Sequence, residues 1–421
     1  YQHNWHLEAI AEHLEAVAYG QIRKLCVNLP PRHSKPVACD ALVLTRAKGL
    51  VRLDQILVGD EVLTHRGNWK PVLAIHKQGV LPVVRVKTGS GREVDAAPDH
   101  PFLTPNGWVE AGKLLPDDVV GVVPPQSPCG GNTVPREEAR LLGYLVGDGS
   151  CNYSTPSITC GDDFQTKDIC ECIAAVGFSP FEKRYAITTK AQWLRKVSIR
   201  SLSMEGEPGR RKKGYMGPVR RWLDRHGLLG MSSYTKMVPT CVMTGTDEIV
   251  ANFVGAYWSC DGHISLKGRK GNVARSDLHI GCDSVNEAFM RQMQILLARL
   301  GIDTKLRRKM AKIKTKRQAS DVYVSWNLSM RSQDDCYRFA NKIPLLHSKR
   351  ARLEYRYRRR FDFDRPIWGD VVTSVEPAGE KECQCLTVAD DKSFTANGIA
   401  VHNTLLVSVT WPAWCWFQKP D

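Results

Sequence analysis

Lys35 and Thr404 form the first pair of residues with a chemistry attached, although 368 residues separate them. Leu25-Cys26-Val27-Asn28-Leu29 has the pattern of a buried strand and runs into Pro30-Pro31-Arg32-His33-Ser34-Lys35, a loop ending on lysine. That is how a phosphate-binding loop begins: backbone N–H groups cradle phosphates, lysine reaches the β and γ oxygens, and the next Ser or Thr binds Mg²⁺. The next residue here is Pro36, which breaks the pattern. A hydroxyl residue arrives at Thr404, which opens the apolar run Leu405-Leu406-Val407-Ser408-Val409. Joining Lys35 to Thr404 makes Arg32-His33-Ser34-Lys35-Thr404-Leu405-Leu406 continuous. Lys35 and Thr404 are then nucleotide-binding residues of the joined protein, and ATP with Mg²⁺ serves that protein alone.

A second chemistry lies inside the interruption. Leu141-Leu142-Gly143-Tyr144-Leu145-Val146-Gly147-Asp148-Gly149 recurs as Val254-Gly255-Ala256-Tyr257-Trp258-Ser259-Cys260-Asp261-Gly262, 113 residues later. Each reads as an apolar helix ending in Asp-Gly. The block around them is strongly basic. From Cys151 to Trp368 there are 40 Lys and Arg against 21 Asp and Glu, a net +19, whereas the rest of the chain is at −4. The densest runs are Arg210-Arg211-Lys212-Lys213, then Lys305 to Arg317 (with Arg307, Arg308, Lys312 and Lys314), and Arg350 to Arg360. In the last, Tyr355 and Tyr357 alternate with Arg356 and Arg358. A charge run alone is as often a solvated face, but three in one block with interleaved aromatics fit a phosphate backbone, so nucleic acid is the expected partner.

The C-terminal edge of the interruption, Phe394-Thr395-Ala396-Asn397-Gly398-Ile399-Ala400-Val401-His402-Asn403-Thr404, resembles the ending of inteins, self-excising protein segments. The N-terminal edge from Pro36 to Thr45, with Asp40 at its fifth position, and the block Ala97-Pro98-Asp99-His100 resemble two further intein blocks. The resemblance implies that Asn403 cyclises onto its own carbonyl, that His402 polarises that carbonyl or donates a proton, and that Thr404 receives the upstream segment. It implies that His100 donates to the leaving nitrogen of the Lys35–Pro36 bond. Inteins usually start with Cys or Ser, and Pro36 cannot attack. Cys383-Gln384-Cys385-Leu386-Thr387-Val388 has Cys385 where Asp is usual. Both departures resemble class 3 inteins, in which the internal Cys385 is the first nucleophile. The match to that class is partial: Ala97, Phe102 and Val401 stand where Thr, Trp and Thr are usual. Two other frames stay open: Cys39 as a conventional nucleophile, and Pro36 as a replaced Cys. The joined flanks resemble the deviant phosphate loop of phage terminase large subunits, with Ser34 in place of a Gly.

The basic block resembles the LAGLIDADG (DOD-type) homing endonucleases found inside inteins. The resemblance implies close-packed helices through Gly143, Gly147, Ala256 and Cys260, with Asp148 and Asp261 meeting as catalytic, Mg²⁺-binding carboxylates at the helix ends. Lys236, Lys342 and Lys349 are candidate accessory cations. The implied nuclease is monomeric with two pseudo-symmetric repeats, and its target is the uninterrupted host gene. No cofactor is expected for splicing. The rival readings are an ATP-binding DNA-packaging fragment with an inert insert, and a DNA-binding module with dead carboxylates.

The elements that must position these residues follow from pattern. Residues 4–23 are spaced as an amphipathic helix, and alternating segments at Val51–Ile56, Glu61–Thr64, Val72–His76 and Val83–Lys87 predict short strands. Strands are also expected within 151–160, 183–200 and 318–330. The fold class is multidomain: an all-β Hint splicing domain split by an α+β nuclease of two αββαββ-type repeats, with short ATPase flanks. The expected segments are 1–35 (upstream flank), 36–128 and 367–403 (splicing domain), 129–366 (nuclease, repeats about 136–240 and 246–362) and 404–421 (downstream flank). The 43% apolar content excludes a disordered tail, and no apolar run is long enough to span a bilayer. The first residues do not read as a signal peptide, and without an initial Met the chain is expected to be part of something longer. Fourteen cysteines show only C-x-C pairs (Cys170/Cys172, Cys383/Cys385), so reduced thiols in a bacterial or phage-infected cytoplasm are expected, with a structural zinc site the lesser reading.

Overall fold

The computed structural model describes residues 5–22, 25, 36–125, 134–152, 155–186, 193–201, 217–267, 277–315, 318–346, 349–350, 353 and 368–402. The leading helix runs Trp5–Ala18, shorter at both ends than its 4–23 pattern.

Segments from both ends of the interruption build one twelve-stranded antiparallel sheet system, drawn from 37–122 and 368–402. Its spine is a pair of long strands, Trp69–Thr88 and Trp368–Val388, paired along most of their length. The two strands expected at Val72–His76 and Val83–Lys87 are therefore one. The residue that reads as a break, Gly79, is a bulge instead. Cys383 faces Gly79 while Gln384 faces Lys77, so Gln78 is an extra residue, and Gly79 takes φ 74°. The strand expected over Val51–Ile56 also differs. It spans Gly49–Arg52 and then tightens into a 3₁₀ turn, Leu53–Gln55, that buries Leu53 in the core. Val43, Phe102, Leu386, Phe394 and Val401 share that core. The last hairpin, Ser393–Ala396 with Ile399–His402, closes on the two-residue loop Asn397-Gly398. Both loop residues have positive φ (49° and 83°), the type I′ geometry that Asn-Gly favours. The Asn397 side chain ties this hairpin inward, accepting from Leu42 N–H at 2.8 Å and donating to Glu93 O at 2.6 Å.

The central unit repeats one topology. Arg136–Gly147 is followed by strands Gly149–Ser150 and Ser157–Cys160, helix Asp163–Ala175, and the hairpin Phe178–Ala186 with Trp193–Ser201. Asp247–Asp261 is followed by Gly262–Lys267, Asp277–Ser284, helix Glu287–Arg299, and the hairpin Thr304–Thr315 with Gln318–Met330. In both four-stranded sheets the strand order is first, second, fourth, third. Of the segments expected to hold strands, 151–160 contains Ser157–Cys160, after Pro156, and 183–200 contains parts of two antiparallel strands, Phe178–Ala186 and Trp193–Ser201. Apolar residues from both repeats merge into a single core that includes Leu142, Phe253, Trp258 and Phe339.

The two units meet at a turn. Ser90 O accepts from Leu306 N–H (2.9 Å) and from Gln294 Nε2 (3.1 Å). Beneath it, buried Arg92 and Asp370 pair at 3.4 Å, and Arg331 reaches the same carboxylate at 3.3 Å. Among the described residues no helix is long and apolar enough to cross a membrane.

Candidate functional site

Strand register fixes the first site. The short strand Val37–Ala38 lies between Glu93–Ala96 and the long C-terminal strand, with Val37 opposite Gln384 and Ala38 opposite Cys383. Pro36 precedes Val37 and Cys385 follows Gln384, so the two adjoin the same end of that pairing. Pro36 O accepts from Ala97 N–H at 3.0 Å, and His100 N–H donates to Ala97 O at 2.9 Å, so the His100 turn is built onto Pro36. His100 is fully buried, and its ring stands edge-on to Phe102 at 6.0 Å. Phe102 pairs across strands with Val401, the residue before His402. Pro36, Cys385, His100 and His402 thus belong to one neighbourhood, which strands from both ends of the interruption assemble. Phe102 and Val401, the two departures from the class 3 pattern that flank the histidines, are cross-strand partners with no exposed surface. They depart together, as one apolar pair.

Cys39 lies in the turn after Val37–Ala38. Burial, then the negative charges of Glu382 and Asp54, raise its thiol pKa, and its backbone N–H is held by Glu382 O at 2.9 Å. Cys383 is pushed up to about 11, first by burial and then by Cys39. Both are therefore poor sources of thiolate at neutral pH. Cys385 is also buried, beside Leu386 O. Asp40 pairs with Lys381 (2.6 Å), which also holds Asp95 (2.8 Å). Lys35, Asn403 and Thr404 lie outside the described residues.

The second site is the contact between the two motif helices. A Cβ at Gly143 would stand 2.8 Å from Ala256 Cβ, and one at Gly147 2.7 Å from Cys260 Cβ, so glycine is what lets the backbones approach. That approach brings Asp148, the C-cap of the first helix, and Asp261, the last residue of the second, to one place. The carboxylates reach solvent but stand among buried atoms. Asp261 is pushed up to about 6, first by burial and then by the charge of Asp148; burial raises Asp148 as well. Two carboxylates that oppose each other's ionisation form a setting that a hard divalent cation relieves. Among the described residues there is no cluster of three His, Cys, Asp or Glu side chains. Carbonyl, water or phosphate oxygens would therefore complete any shell.

Two of the three candidate lysines share one geometry. Lys236 Nζ donates to Leu145 O (2.7 Å), Val146 O (3.3 Å) and Gly149 O (2.5 Å). Lys349 Nζ donates to Trp258 O (2.6 Å), Cys260 O (3.0 Å) and Gly262 O (2.7 Å). Each wraps the C-terminal end of its own motif helix, and each follows its aspartate by 88 residues. That equal spacing was the sequence signal that singles them out. Lys342 instead caps Leu300 O at 2.9 Å, on another helix.

Of the DNA-contact candidates, Lys305 is half-buried, and Arg307 and Arg308 are exposed on the Thr304–Thr315 strand. Arg210, Arg211, Lys212, Lys213, Arg356 and Arg358 lie outside the described residues, as do the side chains of Lys312 and Lys314. Sequence runs missed a pairing in the first sheet. Lys183 faces Lys196 and Arg184 faces Arg195 across one ladder. Like charges opposite each other are unfavourable, and here Glu182 pairs with both arginines and Asp163 with Arg195.

Residues 248–344 match the family model described as LAGLIDADG-like domain, so the chain contains a LAGLIDADG-like domain. Among curated proteins it is 30% identical over 268 residues to the replicative DNA helicase DnaB of Rhodothermus marinus, covering 63% of this chain and 26% of that protein. It is 24% identical over 302 residues to the protein RecA of Mycobacterium tuberculosis, covering 68% of this chain and 34% of that protein. The chain thus spans about a quarter to a third of the length of these relatives. Among solved structures it is similar to a Ssp DnaB mini-intein variant (10% identity, 90% of this chain, 99% of that chain, TM-score 0.31). It is also similar to the DnaX mini intein from Spirulina platensis (26% identity, 21% of this chain, 68% of that chain, TM-score 0.20).

Proposed function

We propose that residues 36–403 are a self-splicing intein with an embedded DNA endonuclease, excised from an ATPase of the terminase large-subunit type. The observation that supports the splicing half is that Pro36 and Cys385 adjoin the same end of the Val37–Gln384 pairing, while Phe102, two residues after His100, pairs with Val401 beside His402. Cys385 thiolate attacks the carbonyl carbon of Lys35, and the Lys35–Pro36 bond breaks as His100 protonates the Pro36 nitrogen, leaving a thioester. The Thr404 hydroxyl takes over the acyl group and frees the thiol. The Asn403 side-chain nitrogen then attacks its own carbonyl carbon, assisted by His402, and releases the amine of Thr404, which converts the ester to a peptide bond. Burial and neighbouring charge raise the Cys39 thiol, which weighs against Cys39 as the first nucleophile.

The nuclease half rests on the paired carboxylates. Asp148 and Asp261 would hold Mg²⁺, which supplies charge neutralisation and water activation at a phosphodiester when bound. Lys236 and Lys349 hold the backbone after each carboxylate, and the basic sheets bind double-stranded DNA as a monomer with two repeats. The relatives' printed names are DnaB and RecA, so the terminase host rests on the joined flanks alone. With no membrane-crossing helix described, a cytoplasmic setting is the proposed one.

Cys385→Ala and Cys39→Ala separate the nucleophiles. Cys385→Ala is expected to abolish thiol-induced release of the first 35 residues, and Cys39→Ala to leave it within a few-fold, read by intact mass. Loss in Cys39→Ala alone contradicts the assignment.

A further inference from the structure

His402 is held by residues that none of the splicing blocks contains. Its ring meets Trp108 edge-on at 4.7 Å and 71°, and on the same indole His65 packs edge-on at 5.3 Å and 77°. His65 lies in the turn between Glu61–Leu63 and Trp69–Thr88, and Trp108 on the Gly107–Glu110 strand. The far side of His65 is fixed in turn. Ser393 Oγ accepts the His65 backbone N–H at 3.1 Å and stands 2.6 Å from His65 Nδ1. Ser393 is the cross-strand partner of His402 itself.

The loop of contacts therefore closes: His402, Trp108, His65, Ser393 and back to His402 through the hairpin ladder. Ser393 is fully buried. Its oxygen accepts the backbone N–H and shares a second hydrogen bond with Nδ1, which fixes the His65 ring from that side. A neutral ring packs against an indole edge without paying to desolvate a charge, and burial lowers the His65 pKa accordingly.

We infer that His65 and Trp108 are positioning residues for His402: they fix its imidazole for cleavage at Asn403, so the downstream junction depends on a turn and a strand far from it in sequence. This rests on the splicing reading above. Edge-to-face ring packing of this kind orients a ring but is too weak to hold the fold.

The test uses the whole chain in two readouts. In the first, cleavage at Asn403–Thr404 and thiol-induced cleavage at Lys35–Pro36 are followed separately by intact mass. Trp108→Ala is expected to slow the downstream cut at least tenfold and the upstream cut less than threefold. His65→Ala is expected to slow the downstream cut several-fold, and Trp108→Phe to restore most of the rate. Equal slowing at both junctions means a merely structural role and overturns the inference; so does no slowing at either. In the second readout, the Asn403→Ala chain, which stays whole, carries ¹³C-labelled histidine. The His402 ring resonance is expected to be shifted by the Trp108 ring current and to move in both Trp108→Ala and His65→Ala. A His402 resonance unmoved by either change overturns the clamp whatever the chemistry does. A parent chain that cuts at neither junction while the resonance does move contradicts the splicing reading and leaves the clamp standing.

Discussion

At the scale of single residues, the two sites differ in how their groups are prepared. The thiols of Cys39 and Cys383 are raised by burial and by neighbouring charge, which weighs against either as the first nucleophile in the proposed splicing. Burial raises Asp148 and Asp261 as well, but there the charge of one carboxylate raises the other, a repulsion that a bound cation would relieve. Asp148→Asn or Asp261→Asn is expected to lower Mg²⁺-dependent cutting of an uninterrupted terminase gene by a factor of at least 10²–10³, the scale of losing a metal-held group, with melting temperature unchanged or raised because the mutual repulsion is gone. Gel cleavage assays with and without chelator check it, and cutting that survives both substitutions contradicts the metal assignment. The aspartates were legible as the ends of two similar segments. The lysines were legible only in part, because what marks Lys236 and Lys349 is three carbonyls converging on each Nζ, and the shared 88-residue offset has meaning only once the repeat is known. His65 and Trp108 were not legible at all, since nothing in their own segments relates them to His402.

At the scale of elements, periodicity found the strands and missed how they join. Gly79 carries the signal of a turn, but its positive φ serves a bulge inside a 20-residue strand. That bulge matters, since one residue more or less inverts every side chain beyond it, Cys385's partner His76 included. Asn397-Gly398 was the reverse case: its chemistry favours a type I′ hairpin whatever surrounds it, yet the block was read by resemblance and its turn was not. For the motif helices, Gly147→Leu forces a side chain into space that Cys260 fills, and overpacking of that kind costs roughly 1–3 kcal/mol. Thermal denaturation is expected to show that loss in the central unit, together with loss of DNA cutting, while thiol-induced cleavage at Lys35–Pro36 continues. Failure of both activities together would mean that the units unfold as one.

At the scale of the whole molecule, the central unit is inserted into the sheet system. The +19 of the central block belongs to the unit with the paired carboxylates, while the sheet that surrounds Pro36 and His402 is built from segments on either side of it. The Ser90 turn and the buried Arg92–Asp370 pair join the two. This nesting could be read from sequence because both edges of the interruption carry their own signals, and the host could be read only from a few flanking residues. The most direct test is an intact-mass time course of the purified 47.2 kDa chain beside its Asn403→Ala variant. The account predicts that the parent converts to a 368-residue segment and a product joining the first 35 residues to the last 18, and that Asn403→Ala blocks the release. A parent chain that stays whole under conditions where it is folded, or one cut before Cys39 instead of Pro36, would contradict it.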